Sequence, residues 1–305
     1  MIICPEKQTN LYGLNNYLDE FIRLYNDNKL PNKILLSGFK GIGKSTLAYH
    51  LINYVLSKDE EYSYDLKNNC INPENRSFKL IQNGSNQNFI RIDVNSDKKK
   101  IEISQIREMI EKLNKSSLNS KPRFVLIDNI QHLNHNSINA LLKILEEPNY
   151  NVNFILIYNN KRILKTLLSR CLNFKITLTN EESKIIFKKI IGNSIEEIIN
   201  KELIDYYFTP GKIFNLIRFA EENSIDIKNL NLKQFLIYII SKGHYKKESS
   251  IKDFIFDYFE LFLVNNKTRY FNHYNHFVKG YDNVKKFNLD EDTFFLEYKQ
   301  KILYV

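Results

Sequence analysis

The sequence predicts an α/β chain: a parallel sheet flanked by helices, then an all-helical remainder. Three observations predict it. From Lys33 onward, strand-length apolar runs alternate with amphipathic stretches; one strand-to-helix junction carries a glycine-rich loop; and past Ile176 no further convincing strand pattern appears. Gly13 to Asn28 places Leu14, Leu18, Phe21, Ile22 and Tyr25 at helical spacing. Lys33 to Ser37, with Ile34, Leu35 and Leu36, reads as a buried strand, and Ser45 to Lys58, with Leu47, Ala48, Leu51, Ile52, Val55 and Leu56, as a helix. Between them, Gly38-Phe39-Lys40-Gly41-Ile42-Gly43-Lys44-Ser45 fits the pattern G-x-x-x-x-G-K-[ST]. Glycines at 38, 41 and 43 permit turns that aim backbone N–H groups at phosphate, and Lys44 brings a positive charge to it. Ser45 offers a hydroxyl to Mg²⁺ at the helix N-terminus, where Thr46 follows. A bound ATP or ADP with Mg²⁺ is the expectation.

Asp59 to Asn88 is polar and turn-rich, and reads as a surface excursion. Phe89 to Val94 is the second strand, Ser104 to Leu113 a helix with Ser104 as N-cap, and Arg123 to Ile127 the third strand, ending in Asp128. Asn136 is expected to cap a helix over Ile138 to Glu147, closed by Pro148. Phe154 to Tyr158, a short helix over Ile163 to Ser169, and Cys171 to Ile176 complete the alternation, with ligand expected at the strand C-termini. Helices are then expected over Asn180 to Ile191, Ser194 to Tyr207, Lys212 to Glu222, Leu232 to Ser241 and Ile251 to Val264, with Pro210-Gly211 as a break. The aromatic faces of the last two (Phe235, Ile239; Phe254, Tyr258, Phe262) suit a helical core better than a base-stacking platform, because they fall at helical spacing.

At 305 residues the chain has room for more than one core. No apolar stretch approaches bilayer length and the N-terminus lacks a signal-peptide pattern, so a cytoplasmic protein without membrane contact is expected. Cys4, Cys70 and Cys171 are scattered, without metal-binding spacing, and read as buried thiols. The six His are dispersed and read as ordinary surface or core side chains. A net charge of +9 fits a nucleic-acid partner, and fits equally a Lys, Asn and Ile bias spread over the whole chain.

Asp128, at the tip of Phe124-Val125-Leu126-Ile127, supplies the carboxylate that holds Mg²⁺ in a phosphate-loop fold. Hydrolysing members of the additional-strand class usually carry Glu next; here Asn129 stands there, and an amide is no general base. The run Asn139-Ala140-Leu141-Leu142-Lys143-Ile144-Leu145-Glu146-Glu147-Pro148, followed by Leu168-Ser169-Arg170-Cys171, resembles the clamp-loader AAA+ ATPases of the DNA polymerase III holoenzyme. The likeness covers about the first two-thirds of the chain by motif. It implies an AAA+ nucleotide-binding domain over 1–178, a helical lid over 179–228 and an all-helical oligomerisation collar over 229–305.

Within that family the chain resembles the non-motor delta-prime type more than the gamma/tau motors. Asn129 is the first departure from a motor; the second is Gly211-Lys212-Ile213-Phe214, where motors carry a lid Arg that touches the γ-phosphate. The third is Ile157-Tyr158-Asn159, where motors place a sensing Thr for which Asn159 is the available substitute. The excursion also lacks the cysteine zinc module of many relatives, a departure that does not separate the subunit types. Arg170 is retained, and the resemblance implies an arginine finger acting in trans on a neighbour's ATP; its bland alternative is a local ion pair. Implied partners are the gamma/tau and delta subunits and, through the complex, the sliding clamp and primer-template DNA. A hydrolysing gamma/tau-like motor and a directly DNA-binding module are the competing readings.

Overall fold

Uninterrupted apolar runs such as Phe124-Val125-Leu126-Ile127 and Phe154-Ile155-Leu156-Ile157 suit strands covered on both faces, and every one of these residues is 1% exposed or less. The computed structural model describes residues 4–95, 98, 100–115, 119–147, 151–159, 165–204, 208–246, 249–266, 271–287 and 290–304. In chain order the first part runs α1 (Asn15–Asn26), β1 (Lys33–Ser37), α2 (Lys44–Leu56), α3 (Arg76–Gln82), β2 (Phe89–Ile92), α4 (Ile103–Asn114), β3 (Arg123–Ile127), α5 (His135–Glu146), β4 (Val152–Tyr158), α6 (Lys165–Leu168), β5 (Leu172–Lys175) and α7 (Asn180–Ile191). The strands form one sheet in the order β2-β3-β4-β1-β5, every described pairing parallel. β4 is thus inserted between β1 and β3, and the strand C-termini share one edge.

Two N-caps differ from expectation. Glu102, not Ser104, caps α4, through a capping box with Gln105. Asn134, not Asn136, caps α5 by accepting from the Ser137 N–H at 2.8 Å. In both places extended backbone at the earlier residue decides which side chain faces the open helix end. Pro148 and the residues 160–164, which hold the expected start of the helix before Arg170, lie outside the described residues.

The excursion over Asp59 to Asn88 is a packed layer rather than a surface appendage. Asn75 caps α3 by accepting from the Phe78 N–H at 2.7 Å; it also takes the Asn53 amide at 3.0 Å and donates to Tyr62 O at 2.6 Å. His50 shares a 2.8 Å hydrogen bond with the Tyr64 hydroxyl. These bonds bury α2 on nearly all sides. Among the described residues no His, Cys, Asp and Glu cluster forms a metal site. Of the cysteines only Cys171 is buried; Cys4 and Cys70 are half-exposed.

The chain divides into two compact units, Met1–Ile186 with Thr209–Gly211, and Phe187–Phe208 with Lys212–Val305. The second is built from the end of α7, α8 (Ile195–Ile198), α9 (Pro210–Asn223) from Lys212 on, α10 (Leu232–Ser241), α11 (Ser249–Asn265), α12 (Phe271–Phe287) and α13 (Glu291–Tyr298). The helix expected over Ser194 to Tyr207 is a short turn, broken where Ile199 becomes extended and Asn200 starts a 3-10 turn; residues 205–207 lie outside the described set. Pro210-Gly211 opens α9 rather than breaking the chain, as suits Pro in a helix's first turn. One apolar cluster runs through the unit from Phe187 to Leu303. Tyr258 stacks edge-on against Phe235 and donates its hydroxyl to Leu203 O at 3.1 Å. Phe235, Tyr258 and Phe262 are buried, so they are core; the Phe254 side chain lies outside the described residues. Among the described residues no helix is long and apolar enough to cross a membrane.

Burial pushes His50 down to about 4, against a smaller opposing effect from the Gln8 backbone. The unfolded chain, with an ordinary imidazole, takes up that proton first, so stability is full above about pH 6.5 and falls as pH drops toward 4. The predicted loss over that window is about 3 kcal/mol. His50→Gln, which does not titrate, should remove that part of the acid slope in urea titrations at stepped pH; an unchanged slope would mean that His50 is not held neutral.

Candidate nucleotide site

The phosphate-loop sequence places its glycines where side chains cannot go. Gly38, Gly41 and Gly43 have φ of 148°, 88° and 94°. A Cβ at Gly38 would fall 2.3 Å from the Ile176 carbonyl oxygen. Gly43 is the left-handed N-cap of α2, which points the first turn, Lys44, Ser45 and Thr46, at the sheet's C-terminal edge. The Lys44 ammonium is almost fully buried and donates to Gly38 O at 2.8 Å and Phe39 O at 2.6 Å. Burial lowers it to about 8, with the Asp128 charge opposing. It therefore stays a cation at neutral pH, as a phosphate ligand requires.

Asp128 follows β3 and accepts the Ser45 hydroxyl. Burial raises its carboxyl above the usual range, the Ser45 hydrogen bond pulls it back, and the charge of Asp93 pushes it further up. A hydroxyl and a half-buried carboxylate in contact are the hard oxygen donors that Mg²⁺ takes. The residues present thus fit a Mg²⁺ ion arriving with a nucleotide.

The tips of β2, β3 and β4 are joined by side chains. Asn159 Nδ2 donates to Asn129 Oδ1 at 2.8 Å, and Asn129 Nδ2 donates to Asp93 Oδ1 at 2.9 Å. Gln131 also donates to Asn129 Oδ1, at 3.3 Å. Asn129 has φ 55°, a left-handed conformation that Asn tolerates well. The Gly211 N–H donates to Gly41 O at 2.9 Å, and the Thr209 hydroxyl donates to Lys40 O at 2.8 Å. A Cβ on Gly211 would fall 2.5 Å from Gly41 Cα, so only glycine fits that approach. Phe214 stacks on Phe187 with ring centroids 5.7 Å apart.

Of the residues expected from sequence, Gly38, Gly41, Gly43, Lys44, Ser45, Thr46 and Asp128 thus belong to one loop, one helix start and one strand tip. Arg170 has other partners. Its guanidinium pairs with Glu146 at the end of α5, and Nη1 donates to Thr166 O at 2.9 Å and Ser169 Oγ at 3.3 Å. The local ion pair is therefore present, with Glu146 as its other half. Sequence reasoning missed Asp93. The signal was there: a short apolar strand ending in Asp, as in Phe124 to Asp128.

Because the folded chain holds Asp128 with a raised carboxyl, its ionised form costs stability once pH is above that range. Asp128→Asn keeps an acceptor for Ser45 and removes the charge. Its unfolding midpoint by calorimetry at pH 7 should rise without nucleotide. A fall would mean that the carboxylate stabilises the empty site.

Residues 13–180, more than half of the chain, match the family described as DNA polymerase III, delta subunit. DNA polymerase III subunit gamma of Buchnera aphidicola subsp. Acyrthosiphon pisum is 37% identical over 231 residues, covering 70% of this chain and 61% of its own. The gamma subunit of Buchnera aphidicola subsp. Schizaphis graminum is 33% identical over 212 residues, covering 66% and 55%. Subunit delta' of the same organism is 26% identical over 178 residues, covering 56% and 50%. The chain therefore spans one half to three-fifths of the length of these relatives. With the matched span, the phosphate loop and the inserted β4 all falling within the first compact unit, the chain belongs to the clamp-loader AAA+ family of DNA polymerase III subunits.

Proposed function

We propose that this chain is a non-motor, delta-prime-type subunit of a replicative sliding-clamp loader. It binds Mg·ATP or Mg·ADP on Gly38, Gly41, Gly43, Lys44, Ser45, Thr46 and Asp128, scarcely hydrolyses it, and lends Arg170 to the site of a neighbouring gamma/tau-type motor. The carrying observation is Asn129: its amide is engaged on both sides, by Asn159 and by Asp93, and it offers no proton acceptor strong enough to activate water. Phe214 supports the same reading, since it sits in an aromatic stack where a motor carries an Arg toward phosphate. Mg²⁺, held from Ser45 and Asp128, would neutralise phosphate charge.

For the second site, Arg170 is about one-third exposed, and its partner Glu146 more than half. An exposed pair of this kind is worth about 0–1 kcal/mol. A triphosphate on an adjacent subunit can therefore outcompete Glu146 for the guanidinium. In this reading 179–228 acts as lid and 229–305 as collar, the partners are the gamma/tau and delta subunits, and the clamp and primer-template DNA are reached through the complex in the cytoplasm. A gamma/tau-type motor is the second reading, favoured by the higher identity to relatives named gamma.

Two predictions follow the two sites. Lys44→Ala should abolish Mg·ATP binding by the isolated chain in titration calorimetry, because the loop loses its buried cation; retained binding would place the nucleotide elsewhere. Arg170→Ala should leave that binding and complex formation nearly unchanged, yet lower clamp-stimulated ATP hydrolysis by the reconstituted loader. Loss of such a finger costs roughly 10³-fold or more at one site, but the other motor sites persist, so the bulk loss is partial. An Arg170→Ala loader with full activity, or a variant whose own nucleotide affinity falls instead, contradicts the trans assignment.

A further inference from the structure

Four consecutive carbonyls of the phosphate loop are each held by a donor, and the donors come from two places. The Lys44 ammonium takes Gly38 O at 2.8 Å and Phe39 O at 2.6 Å. The next two oxygens are taken by a segment far along the chain: the Thr209 hydroxyl donates to Lys40 O at 2.8 Å, and the Gly211 N–H to Gly41 O at 2.9 Å. Thr209–Gly211 packs with the first compact unit, although the chain on either side of it belongs to the second. Thr209 is buried, and the approach is so close that a Cβ on Gly211 would lie 2.5 Å from Gly41 Cα and 2.9 Å from the Gly41 oxygen. The local sequence makes this strap possible. The first N–H groups of a helix have no intrahelical partner. Pro210, which opens α9, has no N–H, so Gly211 offers the helix's first donor, and Gly41 O satisfies it.

In a planar trans peptide the C=O and the N–H point in opposite directions. Holding Lys40 O and Gly41 O on the strap therefore turns the N–H groups of Gly41 and Ile42 away from it. Phosphate is bound by N–H groups of this kind and repelled by carbonyl oxygens. The Gly38 and Phe39 carbonyls depend on Lys44, the cation that a phosphate would recruit. The strap's two bonds use no group that the phosphate needs. We propose that Thr209 and Gly211 are positioning residues for the phosphate loop: they hold the Lys40 and Gly41 carbonyls, so that the loop keeps its phosphate-binding shape while Lys44 changes partner from carbonyl to phosphate. The inference rests on the reading of the site as nucleotide-binding, and is independent of the roles of Asn129 and Arg170. By reciprocity, a ligand that the strap helps to bind must tighten the strap in turn.

The test uses the full-length chain with Thr209→Val, Thr209→Ser and Gly211→Ala, and Lys44→Ala as the control for the site. Mg·ADP binding is measured by titration calorimetry, the thermal midpoint by scanning calorimetry, and exchange of the Gly211 amide hydrogen with and without Mg·ADP. Thr209→Val keeps the shape of the side chain and removes the donor. It should weaken Mg·ADP binding by about two- to tenfold, the worth of one neutral hydrogen bond. Thr209→Ser, which keeps the hydroxyl, should bind as the unchanged chain does. Gly211→Ala, whose Cβ forces Gly41 aside, should bind more weakly than Thr209→Val; if it fails to fold, the two Thr209 variants decide. Mg·ADP should slow exchange at Gly211 in the unchanged chain, and slow it less in Thr209→Val. A Thr209→Val chain that melts lower yet binds Mg·ADP with unchanged affinity would reduce the strap to a structural tie and overturn the proposal. Exchange at Gly211 that bound nucleotide leaves unaltered would overturn it as well. An unchanged chain that binds no Mg·ADP, or a Lys44→Ala chain that binds it equally well, would instead remove the nucleotide reading, and this inference with it.

Discussion

The hydrogen bond from the Ser45 hydroxyl to the Asp128 carboxylate closes the site, and the sheet order makes it possible. With β4 between them, β1 and β3 are two strand spacings apart, about 9.6 Å. That width separates the phosphate loop from the acid by more than a direct contact. The first turn of α2 spans it, because Gly43 turns left-handed and brings Ser45 in over the edge. The other features of the site depend on this geometry. Burial of the Lys44 ammonium and of Asp128 in one enclosed edge lowers the one and raises the other, which leaves both under-solvated and suited to a charged ligand.

The same edge carries a complete phosphate loop and, beside it, Asn129, an amide that is no general base. Asn159, Asn129 and Asp93 link three adjacent strand tips, with Arg91 and Glu6 continuing outward from Asp93. The acceptor-only Asp93 carboxylate sets the orientation of the Asn129 amide, whose oxygen then takes the Asn159 donor. Arg170, at the foot of β5, is outside this network and keeps its own exposed partner, Glu146. The phosphate loop and Arg170 thus draw on separate side chains.

Much of the first unit was legible in the sequence, because its signals are local. β1 and β3 fall on the expected residues, and β2, β4 and β5 within two residues at either end, since a buried parallel strand is a bounded apolar run. The phosphate loop and Asp128 carry position-specific chemistry that a pattern captures. What the sequence hid depends on contacts between distant residues. The excursion over Asp59 to Asn88 looked like loop because Asn53, Asn75, His50 and Tyr64 pack it through hydrogen bonds rather than an apolar stripe. The caps of α4 and α5 went to Glu102 and Asn134 because backbone direction, invisible in composition, chose among several polar candidates. Asp93 and Glu146 gain meaning only beside Asn129 and Arg170, which are 36 and 24 residues away in sequence.

The central claim is that this edge holds a nucleotide without cleaving it. The most direct measurement is the chemical fate of the nucleotide itself. Purified chain in excess is mixed with Mg²⁺ and γ-labelled ATP, the bound fraction is isolated over minutes, quenched in acid and resolved into ATP and phosphate. The account predicts label retained on the protein and recovered as intact ATP. Recovery as free phosphate within a motor subunit's turnover time of seconds, abolished by Lys44→Ala, would contradict it.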